Sequence, residues 1–221
     1  MPSRGRSGRR RTGLGEGTGQ AGSAGPAEGA DPAETARQIC LRLLTAGPRT
    51  RAQLATALRK RRIPDDVADA VLSRFAEVGL IDDAAFARAW VDTRHHGRGL
   101  ARRALSAELR QRGVAADEVR TAVGSLGPQD EAAMARQLIA RRVVATRGRP
   151  LPARVRHLVG VLARKGYPAG LAYQVVREAL EQENEPGLAL ALGPDTGLDL
   201  DEEADAGAIP AAAVDDEWAP R

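Results

Sequence analysis

The feature that most constrains this chain is a seven-residue stretch that recurs three times, beginning at Leu58, Leu109 and Leu162. Successive copies lie 51 and 53 residues apart. In each copy an amphipathic helical pattern ends in a basic turn, one apolar residue follows, and another helical pattern begins. The apolar residues are Ile63, Val114 and Tyr167. A fixed period of about 50 residues is typical of tandem repeats, in which each unit packs against its neighbours.

Each period has room for three short helices and shows no strand pattern. Ala, Leu and Arg favour helix and dominate the chain, whereas aromatic residues make up only 3%. A β-sandwich or barrel would need more aromatic and β-branched residues. We therefore predict an all-α fold of three tandem three-helix repeats over residues 31–81, 82–127 and 128–183. The Gly- and Arg-rich arm 1–30 and the acidic tail 184–221 are predicted to be disordered, because they offer too few large apolar residues for a core.

Capping signals place individual helices. Thr50 stands three residues before Gln53, which is the spacing of a capping box. Pro64 suits the first position of the following helix. Gly113 and Gly166 fit the left-handed residue that ends many helices, whereas the matching position of the first repeat holds Arg62. The acidic pairs before the third and fourth helices are expected to cap those helices and to complement their dipoles. These pairs are Asp65-Asp66 and Asp82-Asp83.

Apolar spacing predicts which side chains of the first four helices face a core. In chain order these are Ala36, Ile39, Cys40, Leu43, Leu54, Leu58, Val67, Val71, Leu72, Phe75, Phe86, Ala89, Trp90 and Thr93.

Positive charge is concentrated in the predicted repeats. Residues 31–180 hold 27 basic and 15 acidic residues, a net charge of +12, whereas residues 181–221 carry −11. Between Arg94 and Arg112 the sequence has one acidic residue, Glu108. A solvated face normally mixes both signs and remains the simpler alternative, but this excess favours contact with a polyanion. The candidate contact residues are Arg88, Arg94, Arg98, Arg102, Arg103, Arg110, Arg112, Arg141, Arg142, Arg156, Arg164 and Lys165.

Patterns that carry catalysis or bind metals are missing from the sequence, which has no phosphate-binding loop, zinc-protease helix or serine-hydrolase elbow. Cys40 lies on an apolar stripe, so we expect a buried structural thiol. His95, His96 and His157 are expected to be solvated or capping residues. We therefore expect no enzyme activity, cofactor or metal. The absence of a long apolar run also predicts a soluble, cytoplasmic protein that does not enter a membrane.

The central segment reads GLIDDAAFARAWVDTR over residues 79–94 and GRGLARRALSAELRQRGV over residues 97–114. It resembles the signature of the RecX family of bacterial recombinase regulators. RTRAQLATALRKRRIP at 49–64 is similar to the family's first unit, and VLARKGYP at 161–168 to its third. The resemblance covers about residues 33–183. Three positions depart from the family's usual Gly, Glu and Phe, namely Arg62, Gln53 and Tyr167.

The resemblance implies an elongated, curved array of three-helix repeats without a catalytic centre. Proteins of this family bind the RecA recombinase filament on single-stranded DNA and modulate its ATPase, strand-exchange and coprotease activities, which links them to DNA repair and the SOS response. The implied partners of this chain are therefore the RecA filament and the phosphate backbone of single-stranded DNA, and the chain is expected to act as a monomer. Filament capping, groove coating and conditional stimulation all stay open.

Two alternatives come from other classes of protein. Residues 49–83 also resemble a winged-helix or helix-turn-helix transcription regulator, although no strand pair for a wing follows and the unit repeats twice more. A structural scaffold with an incidental basic face needs no nucleic acid at all.

The acidic tail suggests a hypothesis of its own. It is nearly charge-matched to the basic repeats, so it could compete with DNA at low ionic strength. Truncation after Gln182 is then expected to raise the affinity for bare DNA at low salt. A tail that only keeps a basic protein soluble is the alternative.

Overall fold

The computed structural model describes residues 31–184, and the predicted tails lie outside the described residues except for Asn184. Between residues 31 and 184 the chain forms nine α-helices and no strand, which confirms the all-α prediction. One 3₁₀ turn, Val144–Thr146, follows the seventh helix. The helices are α1 (Pro32–Ala46), α2 (Arg51–Lys60), α3 (Asp65–Glu77), α4 (Asp83–Arg98), α5 (Arg102–Gln111), α6 (Ala116–Gly124), α7 (Pro128–Val143), α8 (Leu151–Ala163) and α9 (Ala169–Gln182).

Local signals set the helix ends. The Thr50 hydroxyl accepts a hydrogen bond from the Gln53 amide at 3.2 Å, and the Gln53 side chain accepts one from the Thr50 amide at 3.1 Å. The predicted capping box is therefore confirmed. Pro64 stands just before α3 as its N-cap and is not its first residue. Gly113 and Gly166 have φ of 79° and 84°, so the left-handed turns predicted after α5 and α8 are also confirmed.

Three apolar cores hold the helices in groups of three. The first core lies between Ala36 and Ile81, and the second between Phe86 and Leu126. The third is formed by α7, α8 and α9. Ala101, which precedes α5 in the second group, is fully buried in this third core. The second and third groups of helices therefore interlock.

The buried face of α4 differs from the predicted one. Ala89 and Thr93 are exposed, so their assignment to the core was wrong. The core face also includes Arg94 and His95, because packing covers their polar atoms while giving them partners. The His95 ring nitrogen Nδ1 lies 2.9 Å from the Leu100 carbonyl oxygen just past the end of α4, so of the two expected roles, solvated or capping, the solvated one does not hold for this buried side chain. Hydrophobic spacing could not find a face that contains an arginine and a histidine.

Smaller differences occur in α1 and α3. Leu43 and Val67 are only half-buried, and the neighbouring Ala68 takes the core position that was expected of Val67. Cys40 is buried, as predicted.

The end of α9 is fixed by a buried arginine. Arg154 is 1% exposed, and its guanidinium donates hydrogen bonds to the Thr146 hydroxyl at 3.0 Å and to a carboxylate oxygen of Glu183. Arg147 contacts the same carboxylate. The hydrogen bond from Arg154 is the main cause that lowers the pKa of Glu183. A truncation after Gln182 would remove this anchor, so the acidic tail must instead be removed after Asn184.

Candidate nucleic-acid interface

The first two helix groups meet at the N-terminus of α2. The Arg51 amide donates a hydrogen bond to the Asp83 carboxylate of α4 at 2.9 Å. The Thr50 hydroxyl donates one to the Arg112 carbonyl oxygen at 2.7 Å. Asp82 caps α4 as expected, whereas Asp83 lies in the first turn of α4 and also accepts a hydrogen bond from the preceding helix group. Burial is the main cause that raises the pKa of Asp83, and the hydrogen bond from Arg51 opposes it.

The second and third helix groups meet in the same way at the N-terminus of α5. The Arg102 amide donates to the Glu131 carboxylate of α7 at 2.9 Å, and the Arg102 side chain pairs with the same carboxylate at 3.0 Å. The Ala101 amide donates to the Lys165 carbonyl oxygen at 2.9 Å. Glu131 is 2% exposed. The two junctions therefore share one design, in which a carboxylate of the following group neutralises the positive end of a helix.

Glycine turns allow the close approach at both junctions. A Cβ atom on Gly113 would lie 2.2 Å from Ala52 Cβ, and one on Gly166 would lie 2.6 Å from the Ala104 amide nitrogen. Arg62 occupies the matching turn of the first group and adopts φ of 59°. Within the described residues no earlier helix group packs against the Arg62 turn, so its side chain has room that Gly113 and Gly166 lack.

The second junction also gathers three cations from distant parts of the chain. The Lys165 ammonium donates a hydrogen bond to the Arg98 carbonyl oxygen at 2.5 Å across 67 residues of sequence. Burial lowers the pKa of Lys165, and the positive charges of Arg142 and Arg98 lower it further. A concentration of like charges of this kind favours an anionic ligand. We call Arg98, Arg142 and Lys165 the junction cluster.

Two other candidate contacts have a structural role. The guanidinium carbons of Arg94 and Arg112 lie 4.1 Å and 3.8 Å from the centre of the Trp90 ring. The Trp90 indole nitrogen donates to the Glu108 carboxylate at 2.8 Å. Cation–π contacts of this kind stabilise a partly desolvated guanidinium. Arg94 is 9% exposed, so most of its side chain is covered by the fold.

The remaining candidates are spread over the surface of the described helices, and their contact with a ligand stays a prediction. Arg102 is committed in part to Glu131, a partner from α7 that the sequence analysis missed. Glu131 lies 29 residues from Arg102 in the sequence, so no local spacing predicts this ion pair. The exposed candidates are Arg88, Arg98, Arg103, Arg110, Arg141, Arg156 and Arg164.

Cys40 is the one cysteine of the sequence, and it is buried in the first core. Burial raises the pKa of the Cys40 thiol to about 11, so this side chain is a protonated packing group near neutral pH. Between residues 31 and 184, no group of three or more His, Cys, Asp or Glu side chains could hold a metal ion. None of the helices in that range is long and apolar enough to cross a bilayer.

The fold and the junctions define a class of protein, namely a helical-repeat protein whose three-helix units meet at cation-rich junctions. The RecX first and second three-helix domains match residues 36–75 and 82–123. The regulatory protein RecX of Thermobifida fusca is 68% identical over 148 residues, which cover 67% of this chain and 80% of the relative. That of Streptomyces coelicolor is 61% identical over 155 residues, which cover 70% and 82%. The chain therefore belongs to the RecX family of regulatory proteins.

Solved structures agree with this fold. A crystal structure of RecX from Lactobacillus salivarius superposes with a TM-score of 0.63 at 16% identity, over 68% of this chain and 98% of that one. A second structure of a regulatory protein RecX superposes with a TM-score of 0.60 at 22% identity, over 67% and 72% of the two chains.

Proposed function

We propose that this chain is a non-enzymatic regulator that binds a RecA recombinase filament on single-stranded DNA. In this proposal it restrains the ATPase, strand-exchange and coprotease activities of the filament, and so regulates recombination and repair. The chain acts as a cytoplasmic monomer without a cofactor. Membership of a family of regulatory proteins supports the regulatory role, and the recombinase is the partner that the sequence resemblance implies.

The observation that carries the nucleic-acid part is the junction cluster. Arg98 is exposed at the end of α4, and Arg142 and Lys165 approach it from the third helix group. Burial is the main cause that lowers the pKa of Lys165, and a bound phosphate would offset the repulsion from Arg142 and Arg98 that adds to it. Arginine adds forked hydrogen bonds to phosphate oxygens, which an ammonium group does not make. The net charge of +12 over residues 31–180 would attract the backbone from a distance.

A transcription regulator of the winged-helix class is not favoured. Such a protein would place a strand pair beside the recognition helix, whereas residues 31–184 contain no strand. The three-helix unit also recurs, and the junctions between units occupy the N-termini of α2 and α5.

Neutralising two cations of the junction cluster tests the DNA contact. The variant Arg98→Gln/Arg142→Gln keeps good helix formers and leaves Lys165 in place. The matched control Arg120→Gln/Arg177→Gln removes the same charge from exposed positions on α6 and α9. Each phosphate contact to a single strand contributes about 0.7 to the slope of log affinity against log salt. Two lost contacts should reduce the slope by about 1.4, which corresponds to about 25-fold weaker binding at about 0.1 M salt.

The measurement is fluorescence anisotropy of a labelled single-stranded oligonucleotide, without and with a recombinase, over a range of salt concentrations. The control should bind like the unmodified chain. Equal salt slopes for both variants would exclude the junction cluster from the DNA contact. The regulatory part is tested separately by ATP turnover of the recombinase on single-stranded DNA. Undiminished turnover and strand exchange at stoichiometric protein would contradict inhibition.

A further inference from the structure

A cleft opens at the first junction, on the side of α2 that faces the turn after α5. Its volume is about 410 Å³. Leu43 of α1 and Ala52 and Ala57 of α2 contribute apolar surface. The polar rim includes Gln53 and Gln111. The cleft therefore combines a small apolar area with hydrogen-bonding groups, as ligand sites commonly do.

The charges around the cleft are all positive. Arg49, Lys60 and Arg112 line it, and no carboxylate stands among the described residues that do so. The Arg112 guanidinium is held in place by the Trp90 ring at 3.8 Å. Lys60 is exposed in the last turn of α2. A suitable occupant is therefore anionic and carries an apolar group of moderate size.

We propose that this cleft binds the chain's own acidic segment, centred on Asp215, Asp216, Glu217 and Trp218. Three consecutive carboxylates followed by an indole match three cations beside an apolar surface. Trp218 is also the single aromatic residue of the sequence outside residues 31–184.

The segment can reach the cleft. Arg154 and Arg147 fix Glu183 at the end of α9, so the acidic tail that carries this segment starts from a defined point. From Asn184 to Asp215 the backbone spans at most about 100–110 Å, since an extended chain covers about 3.3–3.6 Å per residue. Each three-helix group is no more than about 30 Å across, because neighbouring helices pack 8–10 Å apart and are at most about 16 residues long. The extended backbone is therefore longer than three such groups placed end to end. Tethering raises the local concentration of the segment toward the millimolar range.

An occupied cleft would lower the positive potential near the first junction without covering the junction cluster of the second. We therefore expect the bound segment to lower the affinity of the chain for bare DNA at low salt. This expectation does not extend to the contact with the recombinase. This inference does not depend on the proposed function, because the contact is intramolecular.

The test uses the full chain and its two tryptophans as reporters. In a ¹⁵N-labelled sample the indole signal of Trp218 is identified by its loss in Trp218→Phe, and the other signal belongs to Trp90. At about 20 mM salt we expect the Trp218 signal to differ from that of a free peptide of residues 212–221. At about 1 M salt, where the Debye length is about 3 Å, it should move to the position of the peptide.

Variants on both sides of the contact complete the test. Lys60→Glu should remove more than half of the displacement of the Trp218 signal, whereas Lys60→Arg should keep it. The matched control Arg120→Glu changes the charge by the same amount on α6 and should leave the displacement of the Trp218 signal unchanged. Asp215→Asn/Asp216→Asn/Glu217→Gln should abolish the displacement without altering any residue of the helices, which covers the case in which Lys60→Glu fails to fold.

Two results would overturn the proposal. One is a Trp218 signal that coincides with that of the free peptide at low salt. The other is an equal response to Lys60→Glu and Arg120→Glu, which would indicate diffuse attraction to a basic surface. Under the first result, weaker oligonucleotide binding by Lys60→Glu would assign the cleft to DNA instead of the acidic segment. Failure of the tail contact would leave the ATP-turnover test of the proposed function unaffected.

Discussion

Substituting Gly113 by Ala should destabilise the first junction in a way that one compensating change can reverse. Gly113 has φ of 79°, and a non-glycine residue in this left-handed region costs about 1–2 kcal/mol. The added Cβ would lie 2.2 Å from Ala52 Cβ, and overpacking of this kind costs about 1–3 kcal/mol. Gly113→Ala should therefore lower the free energy of unfolding by about 2–5 kcal/mol.

The structure also predicts the rescue. The next atom near the new Cβ is Ala52 Cα, at an ordinary contact distance of 3.7 Å. Ala52→Gly removes the one clashing atom and by itself costs about 0.5–1 kcal/mol in a helix. In the double variant the clash disappears, so the two changes should couple by about 1–3 kcal/mol in the favourable direction.

Urea unfolding followed by far-ultraviolet circular dichroism measures this coupling. Gly148→Ala is the matched control, because Gly148 has φ of 84° and no atom lies within 4 Å of a Cβ built there. It should lose only about 1–2 kcal/mol from the backbone conformation. Equal losses for Gly113→Ala and Gly148→Ala, or additive effects of Gly113→Ala and Ala52→Gly, would refute the close approach of the two helix groups.

Three further predictions concern single side chains. Trp90→Ala should lower the free energy of unfolding by about 3–5 kcal/mol, because the ring is 4% exposed; a negligible shift of the melting temperature would contradict its buried position. Glu131→Ala should lower the free energy of unfolding by about 1–3 kcal/mol, and Glu131→Gln should lower it less, because the Gln side-chain oxygen can still accept the hydrogen bond from the backbone N–H of Arg102. Equal melting temperatures for the two variants would argue against that bond. Hydrogen bonding from Arg154 lowers the pKa of Glu183, so its stabilising effect is present above the ordinary value of 4.5 and disappears as pH falls through the lowered value. Glu183→Gln should therefore flatten the loss of stability below pH 4.5 in acid titrations followed by circular dichroism, and an unchanged slope would contradict the pairing.

Most of the helical architecture was predictable because its signals are local. The capping box of Thr50 and Gln53 depends on residues three apart, and the glycine turns after α5 and α8 depend on one residue each. The buried face of α4 was less predictable. Its arginine and histidine are stabilised by the Trp90 ring and the Leu100 carbonyl oxygen, and hydropathy patterns do not register such partners.

The candidate interface was predictable only as a list of positive charges. The sequence indicated an excess of arginine between Arg94 and Arg112, but it did not separate Arg94, which lies on Trp90, from Arg98, which is exposed. The distinction depends on the face that each residue occupies once α4 is packed. Apolar spacing indicates the approximate buried face of a helix, but the partners that cover a polar side chain such as Arg94 come from tertiary contacts.

By itself, the sequence determined that this protein is built from three units of three helices, because capping, turn and apolar spacing all act within one unit. Only the tertiary structure decided how the units join. The carboxylates of Asp83 and Glu131 reach the N-termini of α2 and α5 across 32 and 29 residues, and Lys165 meets Arg98 across 67. Contacts of that separation leave no periodic trace in a single chain, since the energy of each depends on packing that brings both partners together.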